Sequence, residues 1–152
     1  MKKFYPFILL LLVSAGCSKD FLERYDDRIV GTWNLTDVDR IGGGSTSNLP
    51  LREGRFTFEE SGSLQYVAGN GNIYTGQWNI DKRWITGDCF TDGDGNTNCN
   101  DRQARTLEVS MVDFSTQDVI SEYFDEIVFT GSNRFKAYVR SGFRTYVFYF
   151  RR

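Results

Sequence analysis

The sequence predicts an all-β fold: an antiparallel meander of about eight or nine strands closing into a β-barrel, with a short helix before the first strand. Three observations predict it. From Ile29 onward, short runs rich in Val, Ile, Thr, Phe, Tyr and Trp recur between clusters of Gly, Asn, Ser and Asp. Aromatic residues make up 16% of the chain and prolines number only 2, so few strands are interrupted from within. No helical period separates one run from the next, which argues against a parallel sheet with crossover helices.

The strands are expected at Val30–Asp37, Gly54–Glu59, Ser63–Ala68, Ile73–Ile80, Arg83–Thr86, Ala104–Val112, Glu126–Phe129, Arg134–Arg140 and Arg144–Phe150. Glu60-Ser61-Gly62-Ser63 and Gly69-Asn70-Gly71-Asn72 supply residues that tolerate positive φ, as hairpin turns require. Asp81-Lys82, Gly131-Ser132-Asn133 and Ser141-Gly142 are read the same way.

Alternation assigns the faces. Phe56 and Phe58 point inward against Arg55, Thr57 and Glu59. Leu107, Val109 and Met111 oppose Glu108 and Ser110, and Phe135, Ala137 and Val139 oppose Arg134, Lys136 and Arg140. A meander with one apolar face must close on itself or pack on a second sheet, because an open edge invites aggregation. Closure is the economical solution. The last strand is apolar enough, through Tyr146, Phe148 and Phe150, to need an outer cover. The segment Asp20–Arg28, with Phe21, Leu22 and Tyr25 on one side of a short helix, is expected to supply it.

The first residues have a different character. Lys2 and Lys3 precede an apolar run, Phe4–Val13, broken only by Pro6, and the small residues Ser14, Ala15 and Gly16 lead into Cys17. As a helix, ten residues rise about 15 Å, half of a hydrocarbon core near 30 Å, so the run is too short to span. It reads as a signal peptide over residues 1–16. Ala15-Gly16-Cys17 resembles the lipobox of bacterial lipoproteins, although Ser14 stands where Leu is usual. The resemblance implies that the Cys17 thiol takes a diacylglycerol and becomes the new N-terminus, with palmitate-type chains anchoring the protein. Two or more chains hold a protein stably at about 0.8 kcal/mol per buried CH₂. Ser18, rather than an aspartate, follows the cysteine, which in such lipoproteins implies the outer membrane. Asp20, Glu23, Asp26 and Asp27 resemble surface-export tags, or form a solvated linker or short helix. Residues 17–28 are thus read as tether and residues 29–152 as the barrel domain.

Loss of Lys2 and Lys3 with the leader leaves 16 basic and 20 acidic residues, a net charge of about −4. No basic patch stands out, which argues against nucleic acid as a partner. Histidine is absent, removing the commonest general base and the commonest transition-metal ligand together.

Gly31-Thr32-Trp33, after a short helix and at the start of the first strand, resembles the Gly-x-Trp signature of lipocalins. Phe56-Thr57-Phe58 with Gly62, and then Gly76-Gln77-Trp78, extend the likeness to lipocalin-like lipoproteins of Gram-negative bacteria. These motifs cover residues 29–80, and the rest matches in strand rhythm only. The resemblance implies a lipocalin-like barrel whose closed end is plugged by Trp33. A basic residue near the last strand would stack on that indole: Arg144, Arg151 or Arg152. The central lipocalin motif of Thr-Asp-Tyr type is not visible.

Cys89 and Cys99 flank the loop 90–98. With Cys17 committed to lipid, they are expected as a disulfide in an oxidising compartment, the alternative being two reduced thiols on a metal. Asp92, Asp94 and Asn96 carry the alternate oxygen spacing that opens an EF-hand Ca²⁺ loop, but Thr97 replaces the turn glycine and Gln103 the bidentate glutamate. A polar hairpin tip is the plain reading, and weak Ca²⁺ binding aided by Asp88 and Asp101 the sharper one. No other cofactor is expected.

No catalytic spacing emerges, and Gly42-Gly43-Gly44 does not lie between strand and helix as a phosphate loop would. Two functions therefore compete, with a carboxylate-based hydrolase a distant third. In one, the barrel binds a small apolar or amphipathic ligand against Trp33, Tyr66, Trp78, Val109 and Phe135. In the other, the core is filled by its own side chains, and loops 41–50 and 88–101 contact a protein or glycan partner at the outer membrane.

Overall fold

In the computed structural model, which describes residues 24–42, 49–91, 95, 97–142 and 144–152, one sheet organises the chain. A one-turn helix, α1 (Tyr25–Ile29), precedes β1 (Gly31–Ile41), β2 (Gly54–Phe58), β3 (Ser63–Ala68), β4 (Ile73–Thr91) and β5 (Thr97–Asp113). There follow β6 (Asp118–Phe124), β7 (Glu126–Gly131), β8 (Arg134–Ser141) and β9 (Arg144–Arg151). All pairings are antiparallel, in the order β6-β5-β4-β3-β2-β1-β9-β8-β7. Two meanders are thus joined where β1 meets β9, Val38 opposite Phe148.

The expected closure is not found: β6 and β7 are the two edges, and the sheet is not closed into a barrel. The reason lies in the link between them. Asp125 alone separates the two strands, and a hairpin needs at least two residues to reverse direction. The chain instead passes from the ladder with β5 to the ladder with β8. The Asp125 N–H donates to the Tyr138 carbonyl (2.8 Å), and its Oδ2 accepts from the Arg140 N–H (2.6 Å). The edges are connected covalently, without a ladder between them.

The sheet nevertheless wraps one core. Phe124 of β6 meets Phe148 and Phe150 of β9 edge to face, with centroids 5.2 and 6.5 Å apart. The inward sets predicted by alternation are where they were expected: Phe56, Phe58, Leu107, Val109, Met111, Phe135 and Ala137 are buried, and Val139 packs against them half-buried. Two glycines make close packing possible. A Cβ on Gly76 would fall on the Ser110 carbonyl oxygen of β5, and Gly54 holds φ +134° against the Tyr66 ring.

Three local expectations change. Asp81-Lys82 is not a turn: Asp81 pairs with Thr106 and Lys82 with Arg105, so the runs at Ile73–Ile80 and Arg83–Thr86 are one strand. β6 was not expected at all. Its turn, Phe114–Gln117, carries no glycine and takes its positive φ at Gln117 (61°), with the Gln117 N–H donating to the Asp113 carbonyl (2.7 Å). The cover expected over the last strand from residues 20–28 falls mostly outside the described residues. From Arg24 the chain lies elsewhere, with Tyr25 edge-on to Phe129 (5.2 Å) and Arg28 donating to the Gly131 carbonyl (3.3 Å).

Candidate binding surfaces

The five residues expected to line a ligand cavity fall into one packed interior. Trp33 is fully buried, its indole N–H donating to the Ile29 carbonyl (2.6 Å) and Phe135 edge-on at 4.8 Å. Phe135 in turn stacks on Phe150 at 4.3 Å, within 5° of parallel. Tyr66 stacks on Phe56 at 4.4 Å, and its hydroxyl donates to the Glu53 carbonyl (2.7 Å). Burial is the first cause pushing that phenol up to about 12. Val109 is fully buried. Trp78 sits at the rim, half-buried, edge-on to Phe58 at 5.7 Å, its N–H on the Glu59 carbonyl (3.1 Å). Offset and edge-to-face rings at these distances fill space as protein interiors do.

One resemblance-based expectation can be narrowed. Among the three arginines proposed to stack on Trp33, it is Arg152 whose guanidinium lies over the ring at 4.3 Å. The same group donates to the carbonyls of Arg28 (2.9 Å) and Val30 (2.5 Å), fastening the C-terminus to the end of α1.

Beyond the core, β4 and β5 continue as a two-stranded arm. Cys89 and Cys99 pair directly across it and form a disulfide. A bulge between Ile85 and Asp88 twists the arm below the bridge. Trp84, 67% exposed, stands on it without a core to enter.

The base of the arm is tied to the β6–β7 corner by charge. Arg102 forks across the Glu126 carboxylate, to Oε1 and to Oε2 (2.9 Å), and its Nε reaches Asp88 (2.5 Å). Arg140 reaches Glu126 Oε2 (2.6 Å), and Arg83 lies 3.6 Å from Asp125. Glu126 is buried, and its hydrogen bond from Arg102 leads the causes holding its carboxyl below the usual range; Arg102 is raised in return. Sequence reasoning missed this network, because its paired members are charged residues 14 to 42 positions apart with no motif between them.

Asp92, Asp94 and Asn96, the expected Ca²⁺ ligands, lie outside the described residues, as does Cys17. The two auxiliary oxygens are engaged elsewhere: Asp88 with Arg102, and Asp101 as acceptor from the Gly87 N–H (2.9 Å). Among the described residues no group of three or more Cys, Asp or Glu side chains is placed to hold a metal ion.

No family model, curated protein or solved structure matches the chain.

Proposed function

We propose that this protein is a non-catalytic binding module, held at the outer membrane by lipid on Cys17, that contacts a partner through its projecting β4–β5 arm rather than carrying a ligand inside. The observation that carries this reading is the interior. Of the five residues that would line a ligand cavity, four are buried at 2% exposure or less and meet protein rings or side chains instead. A carrier needs an apolar hollow of some 300 Å³ or more. The arm supplies what the interior lacks: an exposed Trp84, a cross-strand disulfide near its tip, and a base held by the Arg102–Glu126–Arg140 ion network. Such a device presents side chains with little ordering cost on binding. The Arg152–Trp33 stack supports kinship with the lipocalin-like lipoproteins, in an open-edged form.

Titration with a fluorescent long-chain fatty acid tests the interior. The expected result is no saturable one-to-one binding. Saturable binding that a Phe135→Trp substitution blocks would overturn the reading. For the anchor, cells fed a clickable palmitate should label the natural chain and not its Cys17→Ala form.

A further inference from the structure

The region of β3–β6 differs from the rest of the molecule in charge, apolarity and pairing. Residues 59–81 and 106–124, both faces of the sheet together, hold seven carboxylates, Glu108 on the outer side and Asp118 and Glu122 on the inner, and neither Lys nor Arg, whereas residues 127–152 hold six cations and no acid. The sheet thus segregates charge although its total is near balance. Directly opposed residues form outward rows: Thr75, Val112 and Val119, then Gln77, Ser110 and Ser121, then Asn79, Glu108 and Tyr123. A groove of about 630 Å³ runs along the first two of these rows, lined by Thr75, Val112 and Val119 and by Gln77 and Ser110. Two apolar side chains line it in the open, Phe114 at 79% and Val119 at 65% exposure.

The groove ends at a free edge. Among the described residues β6 is the last strand in the order, and no described strand forms a ladder along its outer edge. Its seven residues pair with β5 without a bulge and contain no Pro and no Lys, so the inward-facing acids Asp118 and Glu122 are the one device left that discourages strand addition, and they discourage an acidic or apolar partner rather than a basic one. On the core-facing side of this edge, Glu122 lies in the row of Val109 and Trp78. No cation among the described residues reaches it, and burial raises its pKa.

We infer that the edge of β6, with the acidic and apolar face beside it, receives an extended segment of another protein in which basic and apolar residues alternate. Strand addition satisfies the open backbone groups, and pockets on alternate sides read the side chains. The period-two placement makes the demand specific. Residues on the outer side of the added strand meet Val119 and Tyr123, and those on the inner side meet Glu122 and Asp118. A second copy of the chain fits poorly, because pairing β6 with itself sets carboxylates against carboxylates. This surface is separate from the arm, and the inference stands whether or not the arm binds anything.

The probe is a nine-residue peptide alternating Lys and Val, titrated into the full chain by fluorescence anisotropy. Two controls accompany it: a Glu/Val peptide, and the Lys/Val peptide N-methylated at every second residue. One-to-one binding that weakens with salt is expected, lost at least about tenfold in Val119→Lys and about fivefold in Glu122→Gln, and absent for both controls. Val119 is exposed and Glu122 half-buried, so an unchanged circular dichroism spectrum and unfolding midpoint verify the fold of both variants. The inference fails if the Lys/Val peptide does not bind, if the N-methylated peptide binds as tightly, or if neither substitution weakens binding. It also fails if sedimentation reveals a dimer that Val119→Lys dissolves, since the occupant is then a second copy.

Discussion

Arg152 caps Trp33: its guanidinium lies 4.3 Å from the ring centroid while the indole N–H is held by the Ile29 carbonyl. Helix α1, the first strand and the C-terminus are thereby fastened at one point. A cation over an indole contributes roughly 1 kcal/mol at an exposed site, and hydrogen bonds from a charged donor to carbonyls add to it. Arg152→Ala is expected to lower stability by about 2 kcal/mol in urea unfolding, and Arg152→Lys to recover part of the loss. An unchanged midpoint in Arg152→Ala would show that the stack does not matter.

Gly76→Ala tests the closest approach in the sheet. The added methyl would land on the Ser110 carbonyl oxygen, and backbone on both strands must part. A cost of about 3 kcal/mol or more is expected, with reduced amide protection along the β4–β5 ladder. Thermal unfolding with hydrogen exchange measures both.

The disulfide should act locally. Closing a loop of this length is worth about 3 kcal/mol in the chain-entropy model, but the arm it closes lies outside the core cluster. Cys89→Ser with Cys99→Ser should therefore leave the global unfolding midpoint nearly unchanged, while amides of residues 86–102 exchange faster. A large fall in the global midpoint would mean that arm and core unfold as one unit.

The ion network predicts a pH dependence. Arg102 and Arg140 depress the folded-state pKa of Glu126 below its ordinary 4.5. A carboxyl whose pKa falls on folding adds stability that is complete above the unfolded value and lost as pH drops through the folded one. The difference in stability between the natural chain and Glu126→Gln should thus be about 2 kcal/mol at pH 7, a figure reduced for the part-exposed arginines, and shrink below about pH 4.5. Urea unfolding at pH 7, 5 and 3 checks it. A difference independent of pH would assign the cost to packing.

How much of this was legible in the sequence depends on how local the cause is. Phe56-Thr57-Phe58 and Leu107 to Met111 declare their faces because neighbours in the chain alternate across the sheet. The Cys89–Cys99 pairing was readable because, with Cys17 set aside, two cysteines remain and flank one short loop. β6 was not, because Gln117 takes the turn conformation that glycine usually marks. Nor was the continuity of β4 through Asp81-Lys82, since a solvated arm tolerates polar residues on both faces. The missing closure depends on a single residue, Asp125, and the Arg102–Glu126–Arg140 cluster on contacts that only the folded sheet creates. Charge segregation was present in the sequence, but the even total concealed it until strand order placed the acidic runs side by side.

Whether the interior is filled or hollow decides the account, and native mass spectrometry of the chain extracted gently from membranes measures it most directly. The account predicts the mass of the polypeptide with its covalent lipid and nothing more. A non-covalent lipid at one-to-one occupancy, displaced by enlarging Ala137 to Phe on the core side of β8, would contradict it.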